Sequence, residues 1–121
     1  MDEIFLPDEL LFRAVYPPEL AAMFWRKDGS VSSAAFADPK GLSVERGYYR
    51  ENSRIIESMS KRFTGIIVAL SVSDCVSVRA LVLYLPSKTN PFHSEIHGSE
   101  KEPLLSKSQR LYLSKRAKLM N

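Results

Sequence analysis

The stretch Thr64–Gly98, TGIIVALSVSDCVSVRALVLYLPSKTNPFHSEIHG, contains two apolar runs, Gly65–Leu70 and Arg79–Leu85, followed by a polar segment. Each run is far shorter than the roughly 20 apolar residues that a transmembrane helix needs. We therefore interpret both runs as buried strands of one sheet. The connection Ser71–Ser77 is too short for a parallel crossover of about ten residues or more, which predicts that the two strands form an antiparallel pair.

The rest of the chain adds strands and helices around this pair. Asp8–Tyr16 alternates as a first strand does, and the two prolines that follow end it because neither can donate to a ladder. The sequence also predicts extended segments at 30–36, 42–44 and 93–98 and helices at 47–63 and 104–120. The predicted fold class is α+β, with a small mixed or antiparallel sheet of about four to five strands and two main helices.

Length and composition indicate one globular domain that spans residues 1–121. The 45% of hydrophobic residues is normal for a globular protein. Met1–Glu9 is acidic and does not have the basic start and apolar centre of a secretory signal. The single cysteine, Cys75, cannot form an internal disulfide, and we interpret it as a small core residue. Together these features predict a cytoplasmic location.

The positive charge of the chain is concentrated near its C-terminus. Six basic residues follow position 100 against one acidic residue, although the formal net charge is only +3. On a helical projection one side of the predicted last helix is basic and the opposite side apolar. The basic side carries Lys107, Arg110, Lys115 and Lys118. Such a row of cations suits the phosphates of nucleic acid, although lysines near a helix C-terminus also complement the helix dipole. The apolar side lacks the bulk of an interfacial anchor, so no membrane partner is predicted.

Two basic side chains that are far apart in the sequence are candidates for a site. Arg13 lies inside a mostly apolar strand, where a guanidinium must be paired or face a cleft unless it lies along the surface of an edge strand. His93 follows Asn90-Pro91, and imidazole is suited to proton transfer near neutral pH. His97 lies four residues further on, but two histidines without a third ligand do not predict a metal site. Motifs for common cofactors and enzymes are absent, so no cofactor is predicted.

Five segments resemble, in order and spacing, a family of short bacterial proteins of unknown function. They are LFRAVYP, DGSVSSAAF, GLSVER, NPFHSEIHG and LSKSQRLYLSKRAKL. The shared pattern comprises an arginine in the first strand before a proline, D-G-x-x-S-S-x-x-F, L-S-V, an apolar strand, N-P-x-H-x-x-I and a lysine-rich last helix. The resemblance implies a cytosolic α+β domain and supplies no activity. By position it marks Arg13, Ser33, Phe36, Ser43, His93 and Lys107. The segment GYYRENSRIIESMSKRF departs from the pattern, so its role stays open.

These features favour an anionic ligand. Side chains suited to phosphate are Arg13, Ser32, Ser33, Ser43, His93 and the four basic residues of the last helix. We predict a small intracellular binding module or accessory subunit that recognises nucleic acid or a phosphate-containing ligand and acts with a protein partner. The alternative is a metal-independent enzyme for phosphodiester cleavage or nucleotide-derived group transfer, with His93 as general base and Arg13 or Lys107 stabilising negative charge. Small residues such as Ser32 and Ser33 also simply permit close packing.

Overall fold

In a computed structural model that describes residues 1–121, the chain forms one six-stranded antiparallel sheet with three α-helices. The strands are β1 Leu10–Val15, β2 Leu42–Arg46, β3 Ile66–Ser71, β4 Leu81–Tyr84, β5 His93–His97 and β6 Lys118–Leu119. The helices are α1 Asn52–Arg62, α2 Val72–Ser77 and α3 Lys107–Arg116, with short 3-10 helices at Ala22–Phe24 and Ser33–Phe36. The strand order is β4-β5-β2-β1-β3-β6. The predicted α+β class is confirmed, with one strand more than expected. No helix combines the length and the apolar character needed to cross a bilayer.

The two faces of the sheet are covered by different elements, because successive side chains of a strand point to opposite faces. On one face Leu11 and Val15 of β1 join the larger core, together with α2, α3 and the 3-10 helix Ser33–Phe36. On the other face Phe12 packs in a smaller cluster whose members come from β1, β3 and α1. Helix α1 therefore covers the β1–β3 part of this second face. The β2–β5 part carries polar side chains instead.

The predicted antiparallel pairing of the two apolar runs is wrong. Strand β3 pairs with β1 and β6, whereas β4 lies at the opposite edge of the sheet and pairs with β5. The chain between them forms α2, whose N-cap Ser71 accepts a hydrogen bond from the Asp74 amide at 3.1 Å. This helix carries the chain across three strands. All four residues of β4 are half-buried, as is typical of an edge strand.

Three other predicted segments differ in type or extent. Residues 33–36 form a 3-10 helix where an extended segment was expected. Leu42–Arg46 is an inner strand between β1 and β5, longer than the predicted edge segment. Helix α1 begins only at Asn52, because Tyr48 and Tyr49 have φ angles of 44° and 65° and form a tight turn. The Arg50 amide closes that turn by donating to the Gly47 carbonyl at 3.1 Å.

The predicted last helix is also too long at both ends. Ser106 and Gln109 form a capping box that starts α3 at Lys107, and the helix ends at Arg116. The next residues pair with Val68 and Ala69 of β3 as strand β6. This pairing satisfies an edge of β3 that would otherwise stay open, which explains why the chain leaves the helix. Lys118 therefore lies on a strand and not on the predicted basic face.

Candidate functional site

A pocket opens on the α1 side of the sheet where β1 and β2 separate. These strands pair only at Leu11–Arg46 and Phe12–Glu45, whereas β1 continues to pair with β3 as far as Val15. Beyond Phe12 the two strands diverge, and the gap between them contains a pocket of about 110 Å³. Its lining residues are Phe12, Arg13, Ala14, Ser43, Val44, Glu45, Met59, Phe63, Asn90 and His93.

Arg13 fills the gap left by the diverging strands. Because alternate residues of β2 face β5, the backbone carbonyl of Ser43 faces β1, where no ladder partner is present. Arg13 Nη1 donates to this carbonyl at 2.9 Å. Its Nε is buried and has no protein acceptor, and no carboxylate lies within ion-pair distance. Burial lowers the pKa of Arg13, and the negative charge of Asp38 opposes this effect only in part. Arg13 is thus a half-buried cation whose buried Nε is an unused donor.

His93 lies on β5 and faces the same pocket. Its Nδ1 is 2.8 Å from the Leu85 carbonyl oxygen. Since a carbonyl oxygen can only accept, the hydrogen-bonding pattern assigns the proton to Nδ1. In the neutral ring Nε2 then carries the lone pair, and this atom is 3.5 Å from Ser43 Oγ. Arg13 and His93 therefore meet at Ser43, one at its carbonyl and the other near its hydroxyl.

Glu45 is a buried carboxylate in the pocket wall that sequence reasoning missed. It is 3% exposed and lies opposite His93 in the β2–β5 register. Its Oε1 accepts from Arg62 Nη2 at 2.5 Å and from Asn90 Nδ2 at 3.1 Å. Its Oε2 lies 3.0 Å from Arg50 Nη2, but the angles do not make a hydrogen bond, so this contact is electrostatic only.

Two guanidinium groups, those of Arg50 and Arg62, thus neutralise the Glu45 carboxylate. Arg13 lines the pocket without an ion-pair contact to this carboxylate. Period-2 alternation in Leu42–Arg46 was the signal that could have placed Ser43 and Glu45 on one face. That signal was lost because only the first three residues were interpreted as extended.

Polar side chains of β5, those of Glu95 and His97, continue along the same face of the sheet beyond the pocket. Glu95 lies opposite Ser43, and its Oε1 is 2.8 Å from His97 Nε2. Gly41, with a φ of 104°, leaves room for this pair, because a Cβ at position 41 would lie 2.5 Å from His97 Nε2. No group of three or more His, Cys, Asp or Glu side chains is arranged to hold a metal ion.

The remaining predicted site residues lie away from the pocket. Ser32 Oγ donates to the Met23 carbonyl at 2.6 Å, and Ser33 begins the 3-10 helix that packs against α3. The exposed side of α3 carries Lys107, Leu111 and Lys115, while Arg110 is half-buried. Helix α3 covers the face of the sheet opposite His93. The predicted phosphate-binding residues of the last helix therefore do not line the pocket of Arg13 and His93.

Cys75 lies in the larger core, as expected for a small structural residue. It is fully buried, and burial raises the pKa of its thiol to about 12, with a further contribution from the charge of Asp74. A thiol with this pKa is a poor nucleophile near neutral pH.

The chain matches no protein-family model, no curated protein and no solved structure. The resemblance of its short motifs to a bacterial family of unknown function stays a prediction.

Proposed function

We propose that the protein binds a small phosphate-bearing ligand whose phosphate occupies the gap between β1 and β2. The observation that carries this proposal is the buried Nε of Arg13, a cationic donor without an acceptor in the protein. Buried polar groups in folded proteins are almost always paired, and an unpaired charged donor is costly. A phosphate oxygen would supply both the missing acceptor and the missing negative charge.

The surroundings of Arg13 support the same ligand chemistry. The Ser43 hydroxyl can donate to a phosphate oxygen, and His93 can donate from Nε2 when its ring is protonated. Phe12 and Met59, both buried, form an apolar part of the pocket wall, and a charge–charge contact is stronger where the dielectric is low. The 110 Å³ pocket is smaller than the roughly 300–1,000 Å³ of a complete small-molecule site. It suits one phosphate group and not a whole ligand.

We propose a small ligand in preference to nucleic acid because of where the cations lie. A polynucleotide needs a row of cations that follows successive phosphates. Lys107 and Lys115 lie on the surface of α3, which covers the face of the sheet opposite His93, and the exposed Leu111 lies between them. A single half-buried arginine in a small pocket fits one phosphate better than a chain of them.

The orientation of His93 favours an enzyme as the second candidate. Because Nδ1 is held by the Leu85 carbonyl, Nε2 is left as the base, and it faces the pocket that Arg13 also lines. In this reading Nε2 takes the proton from a hydroxyl that attacks phosphorus, and Arg13 stabilises the negative charge that develops on the phosphoryl oxygens. The P–O bond to the leaving alcohol breaks as the new bond forms, and the protonated ring returns the proton to that alcohol. The reaction class would be phosphodiester cleavage or transfer of a nucleotide-derived group.

The proposal is tested by titrating inorganic phosphate and ribose 5-phosphate into the protein and following amide shifts by NMR. We expect saturable binding that becomes at least tenfold weaker in Arg13→Met, since that variant loses the only unpaired buried cation donor of the pocket. Arg54→Met is the matched control, because Arg54 is exposed on α1 and does not line the pocket. Equal affinities in Arg13→Met and the wild type, or no saturable binding, would overturn the proposal.

The two candidate functions are separated by His93→Asn. If the protein is an enzyme, this variant keeps ribose 5-phosphate binding within a few-fold and loses turnover of an activated phosphodiester such as bis(4-nitrophenyl) phosphate. If the wild type shows no turnover of that compound above the Arg13→Met background, the binding function stands alone.

A further inference from the structure

The phosphate pocket continues into a second, larger cleft at the end of β1. This cleft has a volume of about 450 Å³ and is lined by Arg13, Ala14, Tyr16, Arg62, Phe63 and Thr64. Arg13, Ala14 and Phe63 line both spaces, so that the two are adjacent. A ligand whose phosphate lies beside Arg13 would therefore extend into this cleft.

Two exposed aromatic rings border the cleft. Tyr16 is 56% exposed and Phe63 is 48% exposed. Gly65 lets the chain after α1 approach the end of β1, because a Cβ at position 65 would lie 2.5 Å from the Val15 carbonyl oxygen. This close approach of the two backbone segments places both rings at the border of one cleft.

The cations of the cleft lie next to these rings. Arg62 Cζ is 5.2 Å from the centre of the Phe63 ring, and Arg13 also lines the cleft. Arg62 is also held by Glu45, which fixes it at the border between the two spaces. A flat aromatic group that enters the cleft would meet two rings to stack on and a guanidinium at its edge.

Resting on the proposed function, we infer that the ligand is a mononucleotide, with its 5′-phosphate beside Arg13 and its base stacked on Phe63 and Tyr16. The 450 Å³ of the cleft lies within the range of small-molecule sites, whereas the phosphate pocket alone does not. Aromatic side chains are sequence-tolerant platforms for bases, because every base presents a π-face. The Thr64 hydroxyl and the Arg62 guanidinium are polar groups suited to the ribose hydroxyls or to ring nitrogens.

The test compares inorganic phosphate, ribose 5-phosphate and the four ribonucleoside 5′-monophosphates by calorimetric titration of the full chain. We expect at least one nucleotide to bind tenfold or more tightly than ribose 5-phosphate, a difference of about 1.4 kcal/mol. Tyr16→Ala should remove most of that advantage and leave the affinity for ribose 5-phosphate unchanged, because Tyr16 lines the cleft but not the phosphate pocket. Tyr16→Leu keeps the apolar bulk but not the aromatic face, so it should behave like Tyr16→Ala.

The control is Tyr49→Ala, which removes another exposed aromatic ring far from the cleft-lining set. It should leave all the affinities as they are in the wild type. If phosphate and ribose 5-phosphate bind in an Arg13-dependent way but no nucleotide binds more tightly, the mononucleotide inference fails and the proposed function stands. If none of the six compounds binds, the proposed function fails and the inference falls with it.

Discussion

Arg13→Met replaces a half-buried guanidinium that has no ion-pair partner with an apolar side chain of similar length. The substitution loses one charge-assisted hydrogen bond, from Nη1 to the Ser43 carbonyl, which contributes about 1.5–3 kcal/mol. It also removes an unpaired buried Nε, which costs about 1–3 kcal/mol in the wild type, and the desolvation of a cation that nothing neutralises at close range. These terms nearly cancel. We expect the free energy of unfolding to stay within about 1 kcal/mol of the wild type or to rise.

Arg46→Met is the matched contrast, with the same substitution in the same sheet. Arg46 is 0% exposed, and its Nε and Nη2 donate to the two carboxylate oxygens of Glu9 at 2.8 and 2.9 Å. Burial alone would lower the pKa of Arg46, but the hydrogen bonds and charge of Glu9 raise it above its ordinary value. Removing this arginine leaves a nearly buried carboxylate without its partner, so the variant should lose about 3–5 kcal/mol.

Urea denaturation followed by the fluorescence of Trp25, the single tryptophan, measures both variants. The phosphate titration is repeated on the Arg13→Met protein. A loss of about 3 kcal/mol or more in Arg13→Met would show that Arg13 is a structural residue like Arg46. Together with unchanged phosphate binding, that result would refute the argument that the fold keeps Arg13 for a ligand.

Three further predictions concern Cys75 and two strained turns. The pKa of the Cys75 thiol is about 12 in the folded protein and near 9.0 in the unfolded chain, so the free energy of unfolding falls as the pH rises from 9.0 to about 12. Urea titrations above pH 9.0 should show a shallower fall for Cys75→Ala than for the wild type. Tyr49→Gly should raise the free energy of unfolding by about 1 kcal/mol in thermal melts, because it relieves a positive φ at an exposed side chain. The same gain is not expected for Tyr48→Gly, because that variant loses the hydrogen bond from the Asp2 amide to the Tyr48 hydroxyl. Gly41→Ala should lower the free energy of unfolding by about 2 kcal/mol in urea denaturation. A change below about 0.5 kcal/mol would contradict the positive φ and close packing seen at this glycine.

The sequence was informative where a local rule applied to a single element. The alternation in Asp8–Tyr16 predicted which residues of β1 share a face, and Phe12 and Ala14 do lie against α1 while Val15 lies in the larger core. The rule that a guanidinium inside an apolar strand must be paired or face a cleft pointed to Arg13. His93–Gly98 was predicted as a short strand with Ile96 inward, and β5 carries a fully buried Ile96.

The sequence was not informative about which strands are neighbours. Both apolar runs are strands, but their hydrophobicity says nothing about the six residues of α2 that place β4 at the far edge of the sheet. The end of α3 was missed for a related reason. Lys118 and Leu119 continue a helical pattern locally, and only the open edge of β3 makes a strand the better arrangement. Pairing across long sequence separations decided both cases.

The same kind of long-range pairing creates the candidate site. The contact between Glu45 and Arg62 joins residues 17 positions apart in the sequence, and the contact between His93 and Ser43 joins residues 50 positions apart. The pocket exists because β1 stops pairing with β2 after Phe12, a feature of register that no local pattern carries. The sequence allowed Arg13, Ser43 and His93 to be selected as candidate site residues. It did not allow a prediction that they line one pocket.

The separation of β1 and β2 also explains how the site could bind an anion without rearrangement. Arg13 takes the place of a strand as the partner of the Ser43 carbonyl, so its guanidinium is desolvated and oriented when the chain folds. A ligand that accepts a hydrogen bond from the unused Nε need not order or desolvate this side chain again. Preorganisation of this kind strengthens binding because it reduces the entropy and desolvation cost of association. Because the arrangement exists only in the folded state, a bound phosphate must stabilise the protein, by about 2.7 kcal/mol at a concentration 100 times its Kd. The unpaired Nε of Arg13 therefore lowers the stability of the free protein, and the same atom contributes to the stability of the ligand-bound protein.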